Sequence, residues 1–138
     1  RRAANILRAV PVLLRERQPE GTISACYYGV LHLALALLSA AGLVATTHRG
    51  SHQLFSLHFV KNGPLTPAVA RGLARLLSDR DTADYDATVP LDDEAARETV
   101  ALALRTAGPM LDLIRERAPE AMDAVAEAEA VLLEISRS

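Results

Sequence analysis

One cysteine, no tryptophan, two phenylalanines and three tyrosines stand in a chain of 138 residues, and each scarcity removes a class of function. A lone cysteine excludes an internal disulfide framework and a thiolate-rich zinc site. Cys26 lies inside an apolar run and reads as a small buried hydrophobe. So few aromatic rings leave no platform on which the bases of a single strand could stack. No stretch alternates apolar and polar residues over a useful length, so no strand is expected. The apolar run from Val30 to Val44 is interrupted by His32, Ser39 and Gly42. It is too short to cross a bilayer and lacks the position of a leader peptide. The expectation is a cytoplasmic protein without a membrane segment.

Acidic residues are missing from one long stretch. No Asp or Glu occurs from Gly21 to Ser78, and all four histidines, His32, His48, His52 and His58, fall inside that span. Residues 1–78 carry nine Lys and Arg against Glu16 and Glu20, whereas the remainder carries six Arg and fifteen acids. A positive surface on the first half can attract phosphate. Equally, a basic and an acidic half of one bundle can neutralise each other.

What is present is helical periodicity in a chain that is half apolar and long enough for one domain. Ala3 to Arg17 carries Ile6, Val10, Leu13 and Leu14 on one stripe and is expected to form a single helix. Thr22 to Ala41 is apolar nearly all round, the mark of a central helix covered on most sides, and Gly42 can end it. A loop from Thr46 to Ser51 leads into a short helix that Lys61-Asn62-Gly63-Pro64 closes. Pro67 opens a fourth helix, with Val69, Leu73, Leu76 and Leu77 on its apolar stripe. A loop from Asp86 to Pro90 precedes a fifth helix begun by Asp92-Asp93-Glu94. Gly108-Pro109 should kink or break that helix. Pro119 then starts a last helix carrying Val125, Val131, Leu132 and Ile135. The expected fold is an all-α, up-and-down bundle of five to six helices, with residues 1–118 as the bundle and residues 119–138 as an additional helix packed on the same domain.

Two places put polar groups on packing faces. Tyr28 and His32 stand four residues apart in the central helix. The stripe of the fourth helix continues into Arg80 and Asp84, also four apart. Such groups are costly to bury without partners, so an Arg80–Asp84 ion pair supported by Tyr28 and His32 is expected, as a structural lock or as a site. His48 and His52 have a spacing two metal ligands could use on a helix. His48, however, is expected to precede its helix, and no Cys or carboxylate stands near to complete a set, so neither metal nor cofactor is expected. His48 and Arg49 in a glycine-containing loop suit phosphate better. Arg71 and Arg75, one turn apart, can extend a phosphate track.

The order of these motifs resembles the HEPN domain superfamily, in its UPF0332-like branch. Tyr27-Tyr28 to His32, Thr47-His48-Arg49-Gly50, Phe59-Val60-Lys61-Asn62-Gly63 and Arg80 to Tyr85 follow that branch's pattern across residues 3 to 117. The resemblance implies a homodimer of helical bundles, paired with a small nucleotidyltransferase in a toxin-antitoxin system. It further implies a metal-independent endoribonuclease in which an Arg and a His five residues later act on the ribose 2′-hydroxyl and the phosphorus. Arg80 matches the Arg, but Tyr85 stands where the His would be. The candidate catalytic set is therefore Arg80, Asp84 and Tyr85, with His48, Arg49, Arg71 and Arg75 for RNA phosphates. Tyr85 is also the nearest candidate to accept AMP from such a partner. The other function class compatible with a missing His is a non-catalytic module that docks on the nucleotidyltransferase.

Overall fold

The computed structural model describes residues 2–85, 88 and 91–138, so most of the expected loop from Asp86 to Pro90 lies outside the described residues. Those described form an all-helical bundle with no strand among them. Helices α1 (Arg2–Leu7) and α2 (Ala9–Arg15) lead into α3 (Pro19–Ala40). Helix α4 (His48–Phe55) continues as a π-helical turn, Ser56–Lys61. Then follow α5 (Pro67–Tyr85), α6 (Asp93–Arg117), a 3-10 turn (Pro119–Ala121) and α7 (Met122–Ser136).

The expected single helix from Ala3 to Arg17 is two. Arg8 N–H still donates to the Ala4 carbonyl at 3.0 Å, but Pro11 has no N–H for the Leu7 carbonyl, and its ring crowds that oxygen. The helix therefore divides between Leu7 and Ala9. Its far end closes with the Gln18 N–H on the Leu13 carbonyl at 2.9 Å and the Arg17 N–H on that of Leu14 at 3.1 Å. This places Arg17 in the left-handed region at φ 53°, where glycine is the usual occupant. Helix α3 ends in the same closure with a glycine: Gly42 has φ 73°, and Leu43 N–H reaches the Leu38 carbonyl at 2.8 Å.

Helix α3 runs through the middle of the bundle and meets α1, α2, α4, α5 and α6. It is long and apolar enough to cross a bilayer by length and composition, longer than the run from Val30 to Val44 taken alone. Half of its 22 residues are buried by the surrounding helices. Two glycines set the spacing of these helices. A Cβ on Gly29 would stand 2.4 Å from the Leu7 side chain, and one on Gly72 would stand 2.2 Å from Oγ1 of Thr106. Thus α1 lies close on α3, and α5 lies close on α6.

Helix α6 is capped by Asp92, whose Oδ1 accepts from Ala95 N–H at 2.9 Å. It runs on through Gly108-Pro109 without the break that the proline predicts. Pro109 faces solvent, so water can take the carbonyl bond it vacates. Met110, Leu111, Leu113 and Ile114, all buried, hold the next turns to the core. Helix α7 packs Val125, Ala128, Val131 and Ile135 into that core against α1 and α6. Ion pairs between Arg8 and Glu127 and between Arg115 and Glu129 tie it on.

Candidate functional site

The stripe of α5 leads from buried Val69, Leu73 and Leu76 to Arg80, so Arg80 points inward at the end of a packing face. Its side chain is only 12% exposed. It meets α3 where Tyr27 and Tyr28 project. The guanidinium carbon lies 5.3 Å from the centre of the Tyr28 ring, 5.7 Å from that of Tyr27 and 5.9 Å from that of Tyr85. All three tyrosines of the chain thus surround one cation, an arrangement worth about 0.5–2 kcal/mol per well-placed ring.

Two carboxylates complete the surround. Arg80 Nε donates to Asp84 Oδ2 at 3.2 Å, and Nη1 reaches Asp81 Oδ1 at a long 3.4 Å. Desolvation pulls the guanidinium pKa down, but Tyr28, Asp81, Asp84 and Tyr85 outweigh it, and the net shift is upward. The cation is held firmly charged.

A second layer stands behind the tyrosines. Tyr27 is fully buried, and its hydroxyl lies 3.0 Å from Nε2 of His52. Burial pushes the phenol up to about 12, with Arg80 opposing and Tyr28 and Asp81 adding to the rise. Burial first, and then the neighbouring His48, hold His52 below the usual imidazole range. The tautomer that satisfies both has the Tyr27 O–H donating to a neutral His52. Tyr28 lies edge-on to Tyr27 at 5.1 Å and edge-on to His48 at 6.1 Å. Adjacent tyrosines on α3 therefore meet histidines one turn apart on α4.

The cap of α4 explains the Thr-His-x-Gly pattern. Thr47 Oγ1 accepts from Gly50 N–H at 2.9 Å, and a Cβ on Gly50 would stand 2.9 Å from that same oxygen, too close for the hydroxyl to stay. Helix α4 begins at His48, not at Ser51 as the sequence suggested, because the Thr47 cap closes the first turn three residues earlier. His48 and Arg49 are both exposed there.

Of the expected residues, Arg80, Asp84, Tyr85, Tyr28 and His48 come together. Tyr85 is 77% exposed at the end of α5. Others do not join them. His32 lies half-buried one turn beyond Tyr28, with no hydrogen bond or ring contact between the two among the described residues. It lines an apolar cleft of about 400 Å³ with Arg2, between α1, α3, α6 and α7. Burial first, and then Arg2 and His48, lower its pKa. Arg71 and Arg75 line the groove between α5 and α6. Arg75 pairs with Asp79 at 2.9 Å, and that bond and charge raise its pKa. Cys26 is buried, its thiol pushed up to about 12 by desolvation. No group of three His, Cys, Asp or Glu among the described residues is placed to hold a metal ion.

Tyr27 and His52, and with them Asp81, are members that sequence reasoning missed, and a hydrogen bond links the first two. Pairing by four-residue spacing links residues on one helix, whereas this bond joins two helices across 25 positions. A signal existed: two neighbouring tyrosines on one helix, and two histidines four apart on the next apolar segment.

Comparison with known proteins finds relatives of this chain. A UPF0332 protein of Thermotoga maritima is 28% identical over 116 residues, covering 84% of this chain and 85% of the relative. A toxin-named protein of Methanocaldococcus jannaschii is 29% identical over 89 residues, covering 64% and 66%. A UPF0332 protein of Pyrococcus horikoshii is 34% identical over 74 residues, covering 54% and 52%. No solved structure matches significantly. The HEPN domain matches residues 1–117, from α1 to the end of α6, and the chain belongs to the HEPN domain family.

Proposed function

We propose that this chain is an RNA-binding HEPN protein of toxin-antitoxin type and a metal-independent endoribonuclease, with Arg80 as the residue that binds the scissile phosphate. The supporting observation is the setting of Arg80: a permanently charged guanidinium, fixed by three rings and two carboxylates, at the end of a core helix. A group held this way loses little freedom when it binds an anion, and a fixed cation is what charge developing on a phosphoryl group requires. The toxin name borne by archaeal relatives supports the biological class.

In this reading the long Asp81 contact is the one a phosphate oxygen displaces, while Asp84 keeps Nε in place. Arg49, beside His48 on α4, contacts neighbouring phosphates. The protein acts as a homodimer and pairs with a small nucleotidyltransferase. With few rings facing solvent, binding is directed at the backbone and weakens steeply with salt.

The test is binding and cleavage of a labelled structured RNA in chelator and low salt, with wild type beside Arg80→Ala and Arg80→Lys. The reading expects loss of both signals in Arg80→Ala and a partial loss in Arg80→Lys, which keeps charge but not the planar fork. The second reading, a non-catalytic module that docks on the nucleotidyltransferase, draws on the exposure of Tyr85 and on a guanidinium already paired with Asp81 and Asp84. RNA left intact and unbound by wild type, together with co-purification of such a partner, would favour it.

A further inference from the structure

Tyr85 stands where a histidine was expected, so the site as read from sequence has a phosphate-binding cation and no good proton acceptor. The groups around Arg80 can be taken one by one. Tyr27 is buried, and its hydroxyl is committed to His52. His52 uses Nε2 in that bond and is half-buried. Asp84 and Asp81 are already engaged by the guanidinium itself. Tyr28 and Tyr85 are phenols, poor acceptors near neutrality.

His48 remains. It is exposed, its ring makes no hydrogen bond among the described residues, and it lies against the same Tyr28 ring that Arg80 covers. Helix α4 sets its position, because His48 is the first residue after the Thr47 cap. We infer that His48, brought from α4 to the edge of Tyr28, is the general base of the Arg80 site and does the work of the histidine missing from α5. This inference rests on the reading of Arg80 as the phosphate-binding residue.

In the step assigned to it, a ring nitrogen of His48 takes the proton of the ribose 2′-hydroxyl as that oxygen bonds to phosphorus. The bond from phosphorus to the 5′-oxygen breaks, the 5′-oxygen leaves with a proton from water, and the hydroxide so formed takes back the proton held by His48. The products are a 2′,3′-cyclic phosphate end and a 5′-hydroxyl end, with no further reactant consumed. The groups that bear on the charge of His48 are Tyr28 and His32 on α3, Arg49 and His52 on α4, and Arg80 on α5, across the Tyr28 ring.

The experiment is single-turnover cleavage of a labelled structured RNA from pH 5 to 8.5 by wild type, His48→Ala, His48→Gln and Arg80→Ala. Binding of a 2′-O-methyl RNA, which cannot be cleaved, is measured alongside, and circular dichroism checks that each variant is folded. The expected result is a cleavage rate lowered about 10²- to 10⁴-fold in both His48 variants. Binding should stay within about threefold, since a base contributes to the barrier more than to ground-state affinity. The acid limb of the wild-type rate profile should vanish, and added imidazole should restore part of the His48→Ala rate.

Wild-type rates and profile in His48→Ala would overturn the inference while leaving Arg80 in place. So would a loss of binding as large as that of Arg80→Ala, which would make His48 a phosphate contact. Binding that depends on Arg80, with no cleavage by wild type, would remove the base and keep the RNA site. Binding and cleavage both indifferent to Arg80 would remove the reading beneath it.

Discussion

The Tyr27 hydroxyl and Nε2 of His52 lie 3.0 Å apart, a hydrogen bond that joins α3 to α4 through the same Tyr27 ring on which Arg80 rests. Tyr27→Phe keeps that ring and removes the hydroxyl, leaving a half-buried imidazole nitrogen without its partner. The expected cost is about 1–2 kcal/mol, read as a shift of the urea midpoint with an unchanged slope. His52→Phe alone should cost a similar amount. The double variant should cost less than the two single losses together, because it leaves neither polar group stranded.

The burial of two histidines predicts a pH dependence. His52 and His32 have folded pKa values below the unfolded value near 6.5, through burial first and neighbouring cations second. Above that value both states hold these rings neutral, and stability is at its full level. As pH falls through about 6.5 the unfolded chain takes up protons that the folded chain refuses, so stability drops until the folded pKa values are passed. Urea titrations at pH 7.5, 6 and 5 should show a steady loss toward acid. His52→Gln should flatten part of it, and a slope that survives His52→Gln and His32→Gln together would place the sensitivity elsewhere.

How far the sequence disclosed the fold depends on the range of each interaction. The stripe from Val69 to Leu76 and on to Arg80 was legible because helical periodicity carries a face forward one turn at a time. The Arg80–Asp84 pair was legible for the same reason. Tyr27 with His52 was not, since periodicity within a helix says nothing of which turn of another helix it will face. Tyr28 with His32 shows the converse error: correct spacing on one helix, yet His32 turns to the cleft it shares with Arg2. Prolines misled in both directions. Pro11 divides α1 from α2 inside an amphipathic stripe, while Pro109 leaves α6 whole because its vacant carbonyl bond lies on the solvent side and the residues after it are buried.

Gly50 offers a test of how the α4 cap holds His48. Gly50→Ala places a methyl 2.9 Å from Thr47 Oγ1 and should expel the capping hydroxyl, at a cost of about 1 kcal/mol. Thr47→Ala should cost about the same. The double variant should cost little more than either, since the two changes remove one hydrogen bond. Additive losses in thermal unfolding would mean that Gly50 serves some purpose other than room for the cap.

Among the described residues, Arg17 is the non-glycine position with a left-handed backbone. Its φ of 53° costs a residue with a Cβ about 1–2 kcal/mol relative to glycine, and glycine costs about 0.4–1 kcal/mol by loosening the unfolded chain. Arg17→Gly should therefore stabilise by roughly 0.5–1 kcal/mol, visible as a rise of a few degrees in Tm. Arg17→Ala removes the same charge without relieving the backbone and should gain nothing. Equal gains in both variants would assign the effect to the arginine side chain, in a half of the chain already rich in positive charge, and not to the turn that joins α2 to α3.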